Sequence, residues 1–91
     1  MIEPNMCVRR SPGTASRVVG GEAIVLTPLE GKILTLNPTG TRIWEMLEGD
    51  VRVAAVIGTI QTEYAVPAAT AAADVQDFLE SMLERGMIEA E

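Results

Sequence analysis

Side chains able to do covalent or acid–base chemistry are few in this sequence, and they are scattered. Among 91 residues there is no histidine, one cysteine, Cys7, and one lysine, Lys32. Their scarcity removes the serine–histidine and cysteine–histidine nucleophilic pairs and the usual zinc sites together. Cys7 has no partner for an internal disulfide, and among Pro4, Arg9, Arg10 and Pro12 it reads as a bystander thiol in a mobile stretch. Lys32 would need a desolvated or cationic setting to act as a Schiff-base amine, and nothing near it in sequence supplies one. The carboxylates Asp74, Asp77, Glu80 and Glu84 recur at helix-face spacing. General acid–base work needs a positioned carboxyl with a displaced pKa, whereas a solvated helix face needs only this spacing. The expectation is a protein that is no enzyme and carries no metal or cofactor.

Charge narrows the partners. Net charge is -6, but residues 1–42 carry five basic and three acidic side chains and residues 43–91 carry two and ten. An acidic C-terminal half repels a phosphate backbone, so nucleic acid is not an expected partner. No apolar run reaches about 18 residues and the N-terminus lacks a basic-then-apolar signal layout, so neither a membrane nor export is expected, and the cytoplasm is the expected compartment. The hydrophobic fraction is 47% with only 3% aromatic, which calls for an aliphatic core built around Trp44 and Phe78.

The elements that would position these residues follow from local pattern. Residues 1–14, with Pro4, Pro12, Gly13 and no apolar period, read as a flexible arm, and residues 15–91 as one domain. Arg17–Val19 and Glu22–Thr27 flank Gly20-Gly21 as a β-hairpin. Pro28–Gly31 is a four-residue turn into a third strand, Lys32–Leu36. Leu34 and Leu36 share a face that is assigned to the core, leaving Ile33 and Thr35 on the other side. Asn37-Pro38 ends the strand and caps a helix running to about Glu48. Asp50 is a candidate N-cap for a second helix, whose Val53, Val56, Ile57, Ile60 and Tyr64 form a stripe. Pro67 opens a third helix with a 3.6-residue period through Val75, Phe78, Leu79, Met82 and Leu83, and Gly86 caps it. The fold class is therefore α+β: a three-stranded antiparallel sheet followed by three helices.

Lys32-Ile33-Leu34-Thr35-Leu36-Asn37-Pro38-Thr39-Gly40-Thr41-Arg42-Ile43-Trp44 resembles the strand, L-N-x-T-G, x-x-I-W segment of the PqqD-like family. Asp74-Val75, Phe78-Leu79, Leu83 and Gly86-Met87-Ile88 are similar to that family's ending, and the resemblance spans residues 15–88. It implies a small winged helix-turn-helix-like domain that recognises the leader of a ribosomally made precursor peptide. The peptide would be presented to a radical S-adenosylmethionine or other peptide-modifying enzyme. The resemblance also implies that the peptide lies along the third strand and against the third helix. The expected peptide-binding residues are Lys32, Ile33, Leu34, Thr35 and Leu36 on the strand and Asp74, Val75, Phe78, Leu79 and Met82 on the helix. Ile33, Thr35, Val75 and Phe78 are expected to wall the groove.

Two rival functions remain for such a shape. A winged-helix DNA reader would need cations on its third helix, and Pro67–Glu84 has none. A structural subunit would pair through the free strand edge, which leaves a monomer or weak homodimer open.

Overall fold

The structure, a computed structural model, describes residues 1–91. In chain order it contains β1 (Cys7–Arg10), β2 (Ala15–Val19), β3 (Glu22–Leu26), β4 (Ile33–Thr35), α1 (Pro38–Met46), β5 (Val51–Arg52), α2 (Val53–Tyr64), α3 (Ala68–Glu84) and β6 (Ile88–Ala90). Strands β2, β3 and β4 form the expected antiparallel meander, with β3 central. Gly20 and Gly21, at φ +60° and +80°, make the two-residue turn whose twist suits the flanking strands. At the other hairpin Thr27 closes the loop twice: its N–H donates to the Lys32 carbonyl at 2.8 Å and its hydroxyl accepts from the Lys32 N–H at 2.9 Å.

A second sheet, in the order β5-β1-β6, was not expected from the sequence. It overturns the reading of residues 1–14 as a flexible arm. Strand β1 is the centre of that sheet, Ile2 and Val8 are fully buried, and Cys7 exchanges both main-chain hydrogen bonds with Glu91 at 2.8 and 2.9 Å. The Met6 and Pro4 carbonyls accept from the first amides of α2, Val53 and Ala54, at 2.8 and 2.9 Å. Those bonds cap α2 with main chain instead of a side chain, which is why Asp50 does not serve as its N-cap. Asp50 instead accepts from Arg9 at 3.2 Å, and Arg9 also reaches Glu89 and Glu91. Hydrogen bonds from Arg9 to Glu91 and then Asp50 raise its pKa above the ordinary arginine value.

The start of α1 and the end of α3 are as expected. Asn37 Oδ1 accepts from the Gly40 N–H at 2.7 Å with Pro38 in the first turn. Helix α3 ends in a paired-bond cap, in which Gly86 (φ +72°) donates to Leu83 and Met87 donates to Met82. One core lies between the β2–β4 meander, the wing of the fold, and the helices and is aliphatic except for Trp44: Val25 from the meander, Ile43 and Trp44 from α1 with Leu47 at its C-cap, Val53, Val56 and Ile60 from α2, and Val75, Leu79 and Met82 from α3. Each such side chain contributes about 1.5–3 kcal/mol of burial.

Candidate peptide-binding edge and groove

Strand β4 is an outer strand, and its ladder determines which groups are free. Leu36 donates to the Ala23 carbonyl at 2.8 Å, and Thr27 donates to that of Lys32 at 2.8 Å. With alternation every two residues, Lys32, Leu34 and Leu36 direct their main chain to β3, and Ile33 and Thr35 direct theirs to the open edge. An extended chain can complete that edge by main-chain hydrogen bonds alone.

The edge is held in place by a hydroxyl. Thr41 of α1, 4% exposed, accepts from the Ala23 N–H at 2.7 Å and donates to the Leu36 carbonyl at 3.3 Å. Its side chain therefore spans the point where the β3–β4 ladder gives way to the helix. Sequence reasoning missed this residue, although a threonine four positions after a helix cap is the available signal.

Helix α3 and its cap meet the segments that precede and follow β4 at two points. At the wing tip Leu29 covers Gly86, where an added Cβ would lie 2.5 Å from Leu29 Cδ1, and Glu30 pairs with Arg85 at 3.3 Å. At the opposite end Gly40 sits between Leu36 and Phe78, and a Cβ there would lie 2.9 Å from Phe78 Cε1. Beside it opens a cavity of about 230 Å³ lined by Asn37, Thr39, Gly40, Ile43, Asp74 and Phe78. Phe78 is half-buried, Ile43 is enclosed at 1% exposure, and Asp74 is an exposed carboxylate that enters no ion pair.

The expected contact residues divide. Lys32, Ile33 and Thr35 are exposed, Leu34 is half-buried against the core and Leu36 is buried. Asp74 and Phe78 both line the cavity. Val75, Leu79 and Met82, at 0%, 0% and 3% exposure, belong to the core stripe of α3 and not to its open surface. Ile33 and Thr35 correct the expected groove wall in the same way. Their side chains stand on the sheet face opposite Leu34, where Ile33 shares a shallow depression of about 320 Å³ with Ala15, Ser16, Arg17, Ile24 and Leu26. Phe78 was expected to be a core anchor like Trp44, yet only Trp44 is fully enclosed.

No group of three His, Cys, Asp or Glu side chains converges on a possible metal position. Cys7 is half-buried in β1. No helix is long and apolar enough to cross a membrane.

The family described as Coenzyme PQQ synthesis protein D (PqqD) matches residues 22–88. Among solved structures, TbiB1 in complex with the TbiA(beta) leader peptide is similar at 28% identity and a TM-score of 0.82, over 89% of this chain and 94% of that one. The solution structure of the PqqD truncation of Methylobacterium extorquens PqqCD, described as a functional, stand-alone recognition element for ribosomally synthesized, post-translationally modified peptides, shares the fold at 16% identity and a TM-score of 0.74, over 91% and 88% of the two chains. No curated protein matches.

Proposed function

Because the chain belongs to the PqqD family, we propose that it is a recognition element that binds the leader of a precursor peptide by strand addition on β4 and presents it to a separate modifying enzyme. The observation that carries this reading is the pair of outward main-chain groups at Ile33 and Thr35, on an open strand edge. The similar TbiB1 structure, which contains a leader peptide, supports it. The chain itself contributes binding and no catalytic group. Family kinship favours a radical S-adenosylmethionine enzyme as the partner.

Strand addition gives sequence-tolerant affinity from the main chain, and alternate peptide side chains reach the groove. A carrier that must release its cargo is suited by a dissociation constant of roughly micromolar to high nanomolar, about -8 to -9 kcal/mol. The test is titration with synthetic leader peptides of candidate precursors, read by calorimetry and by amide shifts. Shifts should centre on Ile33, Leu34 and Thr35, and Thr35→Pro, which removes an outward donor, should weaken binding at least about tenfold while the domain stays folded. Unchanged affinity in the folded proline variant, or shifts confined to α2, rules the mode out.

A further inference from the structure

We infer that the cavity between α1 and α3 is a subsite for one lysine or arginine side chain of the strand held on β4, with Asp74 as its counter-charge. The inference rests on strand addition at that edge. Its own ground is the placement and chemistry of the cavity. Gly40 lies 3.5 Å, measured from its ideal Cβ, from Leu36 Cβ, so the cavity opens where the residue after β4 enters α1. An added strand would send every second side chain to one face, and in the proposed mode one of these reaches the cavity.

The lining suits a long aliphatic stem with a charged head. Phe78, half-buried, offers apolar surface to methylenes above the enclosed Ile43, and Asp74, one helical turn before Phe78, offers a carboxylate on the same face. A purely apolar side chain would cover that carboxylate without pairing it, which is unfavourable. Nothing on the protein already neutralises it. Helix α3 has no cation between Ala68 and Glu84, and Arg85 is engaged by Glu30 at the far end of the groove. The charge requirement is therefore local to one end.

The opposing influence is the N-terminus of α1, which also borders the cavity and favours anions. Of its first amides Pro38 has none, Gly40 donates to Asn37 Oδ1, and Thr41 donates to the Asn37 carbonyl at 2.8 Å. Only Thr39 is left to face a ligand. A dipole worth about half a charge, most of whose donors are already used, is outweighed by the full charge of Asp74.

The test is selection of a phage-displayed library of random twelve-residue peptides on the 91-residue protein, on Asp74→Asn and on Thr35→Pro. The expected result is a wild-type motif with one basic position, kept in every other respect but neutral at that position on Asp74→Asn. Changing that basic residue to glutamine in a synthetic selected peptide should weaken binding about three- to tenfold at low salt, with the difference shrinking at about 0.5 M salt and vanishing on Asp74→Asn. A motif without a basic position, or one still basic on Asp74→Asn, overturns the subsite and leaves strand addition standing. No enrichment on the wild type, or the same motif on Thr35→Pro, overturns strand addition and the subsite with it.

Discussion

Trp44 joins three segments that are distant in the chain. Its indole N–H donates to Ser16 Oγ at 3.1 Å, its carbonyl accepts from Arg10 at 2.7 Å, and the Arg10 guanidinium stacks 4.5 Å from its ring centroid. Burial lowers the pKa of Arg10, and it remains a cation at any ordinary pH. Trp44→Ala should cost about 3–5 kcal/mol of stability in denaturant titration, a large share of what a domain this size has. Arg42 and Glu63 form a bidentate pair at 2.8 and 2.9 Å, whose hydrogen bonds lower the Glu63 pKa below the ordinary glutamate value. A depressed carboxylate pKa stabilises the fold above the unfolded-state pKa, and that contribution is lost as pH falls through the folded value. Carboxyl-detected titration should therefore give Glu63 a midpoint below that of a free glutamate, and Arg42→Gln should raise it. Because both side chains remain more than a third exposed and solvent screens the pair, the effect on stability should be small.

At the scale of elements, Gly40 and Gly86, which pack against Phe78 and Leu29, are the sensitive points. Gly86→Ala forces a β-carbon into a left-handed backbone, which should cost about 1–2 kcal/mol in thermal or denaturant unfolding, with Leu29 swinging aside because it is exposed. Gly40→Ala instead presses on the Phe78 ring and should narrow the cavity, so its effect should be on peptide binding as much as on stability. The wing and the three helices were legible in the sequence because their signals are local: paired glycines at 20–21, Pro28 to Gly31, the Asn37-Pro38 cap and the period of α3. The second sheet was not legible. Its strands have four, two and three residues, too few for alternation to register, and Val8 is the one buried side chain of β1. Within the candidate site the free edge followed from strand order alone. Side-chain direction did not, since the stripe containing Val75, Leu79 and Met82 marks the face that is buried and the peptide would meet the neighbouring one.

The whole molecule is an acidic body of net charge -6, with a winged helix-turn-helix-like outline but no cation on the helix that would read a groove. It should pass through a heparin column without retention at low salt, and strong retention would reopen nucleic-acid binding. Removing residues 1–10 should abolish cooperative thermal unfolding. It deletes Ile2 and Val8, about 3–6 kcal/mol of burial together, along with the caps of α2 and the centre of a sheet; a true arm could be cut with no change in melting. The position of β1 also sets an order of events during synthesis. It leaves the ribosome before every other strand, yet its neighbours lie at Val51–Arg52 and Ile88–Ala90, the latter near the end of the chain. The wing, whose strands pair with their immediate successors, can close early at little loop entropy. A nascent chain halted before Ile88 could thus have its wing formed while Arg9 lacked Glu89 and Glu91 and one side of β1 had no strand to pair with.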